Sequence, residues 1–276
     1  ESCASIAVRL VVAKQLRKRL AALLLCRRAH HALRMRAALA PLLLAAHTRS
    51  LAVRRIATKM SAQGVLLTKA GQDGAQGDCP FTQYAAMSMQ LAGATYELRP
   101  TPQEEKPAWH VDAHGGSMPC WAPNGFADGA DAIADSGGIA KHFLAPSATD
   151  TAVMEQCGGL FKGIAMLLKN TDDAKDGELL AGLDDQLDKL EACAFAPYLS
   201  GAAPGLADAF VATKLYVLFV AGGHYKQFML SERYPKVARY WAAVSAHPAF
   251  YRTRYPEAEM LHGWGEARGE GPGCAV

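Results

Sequence analysis

Gly77-Asp78-Cys79-Pro80-Phe81-Thr82-Gln83, GDCPFTQ, follows a short apolar run and a loose glycine-rich loop. Residues 64–70 (GVLLTKA) read as a strand and residues 80–91 as a helix. Proline suits the first helical position, where the amide it lacks would have had no partner. Cys79 then takes the N-cap and faces the unpaired amides and the positive end of the helix dipole, a setting that favours a sulfur anion. Asp78 beside it works against that charge, and Lys69, at the end of the preceding strand, is the natural cation to offset Asp78. Thr82 stands where a C-x-x-C oxidoreductase carries its second cysteine. An outside thiol must therefore complete any thiol–disulfide cycle at this site.

Outward from this joint, residues 95–101 (TYELRPT) and 118–123 (MPCWAP) read as two further strands. A turn at Asn124-Gly125 follows, and GGIAKHFLA closes the half as a helix. Strands and helices in that order, joined by short loops, predict a small α/β layer over residues 61–146. Pro146, Ser147 and Asp150 read as a linker. Residues 151–264 are helical throughout. Leu160, Phe161, Ile164, Leu167 and Leu168 share a face, as do Leu179, Leu180, Leu183, Leu187 and Leu190, and later Val237, Tyr240, Trp241 and Val244. These stripes are core. Residues 265–276, rich in Gly and Glu, read as a flexible tail.

Composition narrows the class. Half of the 276 residues are apolar and a fifth charged, as in a globular enzyme. The net charge of +3 is unevenly spread: residues 1–60 hold thirteen basic side chains against one acid, and the remainder is acidic. The acidic body predicts no nucleic-acid surface. The basic leader, rich in Arg, Ala and Leu, has the marks of an organellar transit peptide for the chloroplast or mitochondrion. Without it the expected compartment is the cytosol, and Met60 is a candidate start of the folded part. The leader's longest apolar stretch is about half of the roughly 20 residues a membrane span needs, and no membrane partner is expected. Seven scattered cysteines without C-x-x-C spacing predict neither a disulfide scaffold nor a metal site.

GDCPFTQ, KPAW at residues 106–109, GGSMP ending in Pro119, ADS ending in Ser136, and PYLSGAAPGLADAFVATKLYVL at 197–218 together resemble the cysteine-type glutathione transferase superfamily. Within it, the Lys69 strand end, EEKPAW, and GHYK at 223–226 followed by Gly263-Trp264 are similar to plant-type dehydroascorbate reductases. The match runs from about residue 64 to 265. The resemblance implies a glutathione transferase fold: an α/β thioredoxin-like N-terminal domain, then an all-α domain, preceded here by the basic leader. It also implies a monomer that takes glutathione as co-substrate and dehydroascorbate as substrate, with no metal. Cys79 would be the catalytic thiol. Phe81, Lys106, Met118, a cis Pro119, Asp135 and Ser136 would bind glutathione, and Lys69, Asp78, His224, Tyr225 and Lys226 would bind dehydroascorbate.

The chain also departs from the family pattern. Gly205 replaces the Ser or Thr that caps the helix three residues before Asp208, so one capping bond is expected to be missing. The loop between Lys69 and Cys79 is short, and Tyr84 stands where a basic residue is usual. Two rivals share the cysteine motif: an omega-like glutathione transferase acting as a general thioltransferase, and a chloride-intracellular-channel-like protein. The second would need residues 84–100 to enter a membrane, and Gln90, Glu97 and Arg99 oppose that.

Overall fold

A computed structural model describes residues 64–270 of the chain. The basic leader lies outside the described residues. Strand β1 (Val65–Lys69) is central in a three-stranded sheet of order β2-β1-β3. It pairs in parallel with β2 (Glu97–Thr101), Val65 opposite Glu97 and Lys69 opposite Thr101. It pairs antiparallel with β3 (Cys120–Ala122), Val65 opposite Ala122 and Leu67 opposite Cys120. Successive side chains of a strand point to opposite faces. Leu66 packs with Ala85, Ala86, Met89 and Ile139 on one face, and Val65 and Leu67 pack with Cys120 and Ala122 on the other.

Helix α1 (Pro80–Leu91) and helix α3 (Ser136–Phe143) cover the Leu66 face. Trp109, from the short helix α2 (Ala108–His114), covers the opposite one. That helix was not evident in the sequence, because its start lies inside the KPAW motif. The Trp109 indole donates to the Phe126 carbonyl at 3.1 Å and so pins the following loop.

The second half is helical, as its stripes predict: α4 (Ala148–Gln156), α5 (Leu160–Lys169), α6 (Asp176–Glu191), α7 (Leu206–Val217), α8 (Gly223–Lys226), α9 (Pro235–Ser245), α10 (Pro248–Thr253) and α11 (Glu257–Ala267). Leu160, Ile164, Leu167, Leu183, Leu187 and Leu190 are wholly buried, each worth about 1.5–3 kcal/mol of transfer free energy. A π-helical segment (Leu218–Gly222) joins α7 to α8 without a break. The joined run, Leu206–Lys226, is long and apolar enough to cross a membrane, yet 78% of its apolar window is buried inside the fold. It is the core helix of this domain.

Two expected boundaries move. Ser147 and Asp150 are not linker but a reciprocal N-terminal cap of α4: Ser147 Oγ accepts from the Asp150 amide at 3.0 Å, and Asp150 Oδ2 accepts from the Ser147 amide at 2.8 Å. At the other end, α11 runs on to Ala267 rather than stopping at Trp264. Arg268 holds that end down, donating from Nη1 to the Leu168 carbonyl and, at 3.0 Å, to the Asn170 carbonyl. Side-chain anchoring here overrides a glycine-rich composition.

The cap missing at Gly205 is supplied from elsewhere. Asp150 Oδ1 accepts from the Ala207 amide, in the first turn of α7, at 3.0 Å. Asp208 Oδ2 accepts from the Gly205 amide at 2.9 Å, and its other oxygen takes the Leu199 amide at 2.9 Å. The glycine is required in this arrangement. A Cβ on it would lie 2.6 Å from Ser200 Oγ and 2.7 Å from Ser200 Cβ.

Candidate active site

The loop between β1 and α1 is short but closed. The Gly71 amide donates to the Ala75 carbonyl at 2.7 Å and the Gly77 amide to the Lys69 carbonyl at 2.8 Å, so the chain doubles back on the strand end. This return brings Asp78 to Lys69, and Lys69 Nζ forms an ion pair with Asp78 Oδ1. The short loop is thus what puts Lys69 in reach of Asp78. Cys79 follows in extended conformation as the N-cap of α1, with Pro80 in the first helical position. Its Sγ accepts from the Thr82 amide at 3.4 Å, and its carbonyl from the Gln83 amide at 3.1 Å. The sulfur is half-buried and unpaired, whereas Cys120, Cys157 and Cys193 are buried.

Helix α11 closes one side of this corner. Gly263 packs so closely on the Asp78 carboxylate that a Cβ there would overlap it. Glu259, one turn earlier on the helix, accepts from the Gln72 amide at 2.9 Å. A cleft of about 290 Å³ opens between them, lined by Lys69, Gln72, Asp78, Glu259 and His262. Burial pushes the Asp78 carboxyl above its ordinary range; Lys69 pulls it back in part, and Glu259 raises it further. Tyr255 presents a buried hydroxyl without a hydrogen-bond partner to the same region. Burial, with the Asp78 and Cys79 charges nearby, holds that phenol well above its usual range.

The residues expected around glutathione lie in the first turn of α1 (Phe81), ahead of α2 (Lys106), ahead of β3 (Met118 and Pro119) and at the start of α3 (Asp135 and Ser136). The Met118–Pro119 peptide is cis, and Met118 packs against the β1–β3 face just before β3. Asp135, rather than Ser136, caps α3: its carboxylate accepts from the Gly138 amide, and Ser136 is the first helical residue. Lys106 Nζ donates to Gln103 Oε1 and to the Gly116 carbonyl, both at 2.6 Å, which fixes its ammonium beside the turn that precedes Met118. Phe81 is 40% exposed, and its ring meets Phe161 of α5 edge-on at 5.1 Å. Tyr84, in the place of the usual basic residue, stacks edge-on with Phe210 of α7 at 5.6 Å.

The residues expected around the second substrate divide. Lys69 and Asp78 meet beside Cys79. Tyr225 and Lys226 are engaged elsewhere: the Tyr225 hydroxyl donates to the Leu261 carbonyl at 2.7 Å, and Lys226 Nζ pairs with both Asp176 oxygens at 2.7 and 2.8 Å. His224 is exposed on α8, its ring against Tyr225. The closure by Gly263 and Glu259 joins residues far apart in the chain. The only sequence signal for it is the late Gly-Trp pair. Among the described residues no group of three His, Cys, Asp or Glu side chains is placed to hold a metal ion.

The chain's relatives agree with this architecture. Residues 172–243 match the family described as glutathione S-transferase, C-terminal domain. "Glutathione S-transferase DHAR2" of Arabidopsis thaliana is 28% identical over 196 residues, covering 68% of this chain and 89% of its own. "Glutathione S-transferase DHAR3, chloroplastic" of the same plant is 26% identical over 197 residues, covering 68% of this chain and 73% of its own. Among solved structures, Chlamydomonas reinhardtii dehydroascorbate reductase superposes with a TM-score of 0.62 at 23% identity, over 74% of this chain and 97% of that one. The small sheet with its helices, the all-helical second half and these matches agree: the chain has the glutathione transferase fold and is similar to the plant-type dehydroascorbate reductases.

Proposed function

We propose that the protein reduces dehydroascorbate to ascorbate at the expense of glutathione, with Cys79 as the redox thiol. The observation that carries this reading is the Cys79 corner. A half-buried, unpaired sulfur sits at a helix N-terminus, the Lys69–Asp78 pair lies beside it, and Thr82 occupies the place of a resolving cysteine. The Cys79 sulfur gives two electrons to dehydroascorbate, which takes up two protons and leaves as ascorbate. The sulfur gains the hydroxyl of a water and becomes a sulfenic acid. A glutathione thiol displaces that hydroxyl as water and forms a mixed disulfide. A second glutathione thiolate then attacks the glutathionyl sulfur, releasing glutathione disulfide and restoring Cys79.

Each residue has a part in this scheme. The Thr82 amide, in the first turn of α1, donates to the sulfur. Pro119 and Met118 would hold the cysteinyl part of glutathione, the start of α3 with Asp135 and Ser136 its γ-glutamyl end, and Lys106 a carboxylate. Phe81 would flank the peptide. Lys69 and Asp78 would orient the substrate, with His224 as hydrogen-bond donor or acid. Tyr225 and Lys226 act as braces of α8 rather than as ligands. For the leader we propose an organellar transit role, in chloroplast or mitochondrion, and the mass of the native N-terminus tests whether it is removed.

The test is ascorbate formation from dehydroascorbate and glutathione, run beside a generic glutathione mixed-disulfide substrate. Cys79→Ser should abolish both reactions. His224→Ala should lower dehydroascorbate turnover by about tenfold or more and spare the mixed disulfide. Equal losses on both substrates would favour a general thioltransferase, and full activity in Cys79→Ser would end the proposal.

A further inference from the structure

Cys157 is the C-cap of α4, and Cys193 follows the last turn of α6. The two helix ends lie side by side. The Lys189 carbonyl accepts both from Gln156 Nε2 at 2.6 Å and from Cys193 Sγ at 3.4 Å. Cys157 and Cys193 neighbour each other in one buried cluster of the helical domain. They differ in access. Cys157 is 1% exposed, whereas Cys193, at 5%, forms part of the wall of a cleft of about 480 Å³.

That cleft is basic. Lys236 and Arg239 line it with Phe195 and Tyr240. The neighbouring acid, Glu191, is already used, because its carboxylate accepts from the Lys236 and Val237 amides at the start of α9 at 2.9–3.1 Å. Lys236 Nζ donates to the Glu191 carbonyl at 3.0 Å, at the mouth of the cleft. The neighbouring Cys157 thiol and the Lys236 charge favour the anion on Cys193, while the neighbouring Cys193 and burial keep the proton on Cys157. Cys193 stands at the cleft wall and Cys157 does not line it, an order that suits an attacking and a resolving thiol.

We propose that Cys193 and Cys157 form a second thiol site, which takes a small anionic disulfide of the glutathione disulfide class and closes into an intramolecular disulfide. The Cys193 thiolate attacks one sulfur of glutathione disulfide, forming a mixed disulfide and expelling a glutathione thiolate. Cys157 then attacks the Cys193 sulfur, its proton passing to the second departing glutathione. The Cys157–Cys193 bond forms as the Cys193–glutathione bond breaks. Two protein thiols are oxidised, and one glutathione disulfide is reduced to two glutathiones. The new bond would staple the end of α4 to the end of α6 and record the glutathione redox state in the helical domain. This site needs nothing from Cys79.

The full chain carrying Cys79→Ser is equilibrated in mixtures of glutathione and glutathione disulfide, quenched with acid, alkylated, digested and read by mass spectrometry. A Cys157–Cys193 linked peptide should accumulate as the disulfide fraction rises and disappear on reduction. Adding Cys157→Ser should replace it with a stable glutathionyl adduct on Cys193. Exchanging Lys236 and Arg239 for Glu should slow the reaction with glutathione disulfide by about tenfold while sparing an uncharged disulfide. The linked peptide in the Cys79→Ser protein is decisive even if the further variants fail to fold. Its absence, or an adduct on Cys193 that persists with Cys157 intact, overturns the proposal.

Discussion

The Asp150 carboxylate accepts a hydrogen bond from the Ala207 amide, 57 residues further along the chain, at 3.0 Å. One buried side chain therefore caps two helices, closing the box with Ser147 at the start of α4 and satisfying an amide at the start of α7. Burial alone would raise its pKa. Hydrogen bonds from Ser200 and Ser147 and from the Ala207 and Ser147 amides outweigh that and hold the carboxyl below its ordinary value.

Removing it should leave buried amides unpaired at both helix starts, so Asp150→Ala is expected to cost about 3 kcal/mol in urea unfolding. Because the folded pKa is depressed, the ionised carboxylate contributes stability above its unfolded pKa. That contribution is lost as pH falls below about 4. Asp150→Asn should cost less at neutral pH and flatten this acid limb. An unchanged acid limb would refute the shared cap.

The same geometry reverses an ordinary stabilising design. Restoring a hydroxyl cap with Gly205→Ser would place Cβ 2.7 Å from Ser200 Cβ and 3.3 Å from Asp150 Oδ1. Overpacking should outweigh the new cap, with a loss of about 1–2 kcal/mol on the same unfolding assay. A gain would show that Asp150 leaves the helix start under-capped.

What the sequence made legible was local chemistry. Cys79-Pro80 announced a helix start, Leu66 and Leu67 a buried strand, and Leu183, Leu187 and Leu190 a buried stripe, because turn chemistry and periodicity act over a few residues. Contacts between distant residues were hidden. Nothing in GLAD at 205–208 points to Asp150, and the cysteine spacings concealed the meeting of Cys157 and Cys193. The resemblance to a family located Lys226 but not its partner, since Asp176 comes from another helix. A segment such as 265–270, rich in Gly and Glu, gave no sign that Arg268 would anchor it to the Leu168 and Asn170 carbonyls.

Lys69 and Asp78 should affect the Cys79 sulfur in opposite directions, since one charge near it is positive and the other negative. Removing the anion with Asp78→Asn should speed alkylation of Cys79 by iodoacetamide at neutral pH by about threefold, and Lys69→Met should slow it by a similar factor. Both effects should shrink in high salt, because Lys69 is half exposed. Asp78 carries a further sign of its own. Its raised folded pKa means that the folded protein binds this proton more tightly than the unfolded chain. Its contribution to stability therefore improves as pH falls through that raised value, opposite to Asp150. Asp78→Asn should remove the improvement and stabilise the fold at neutral pH. If both substitutions move alkylation the same way, the pair does not tune the sulfur, and Lys69 serves only to hold the loop.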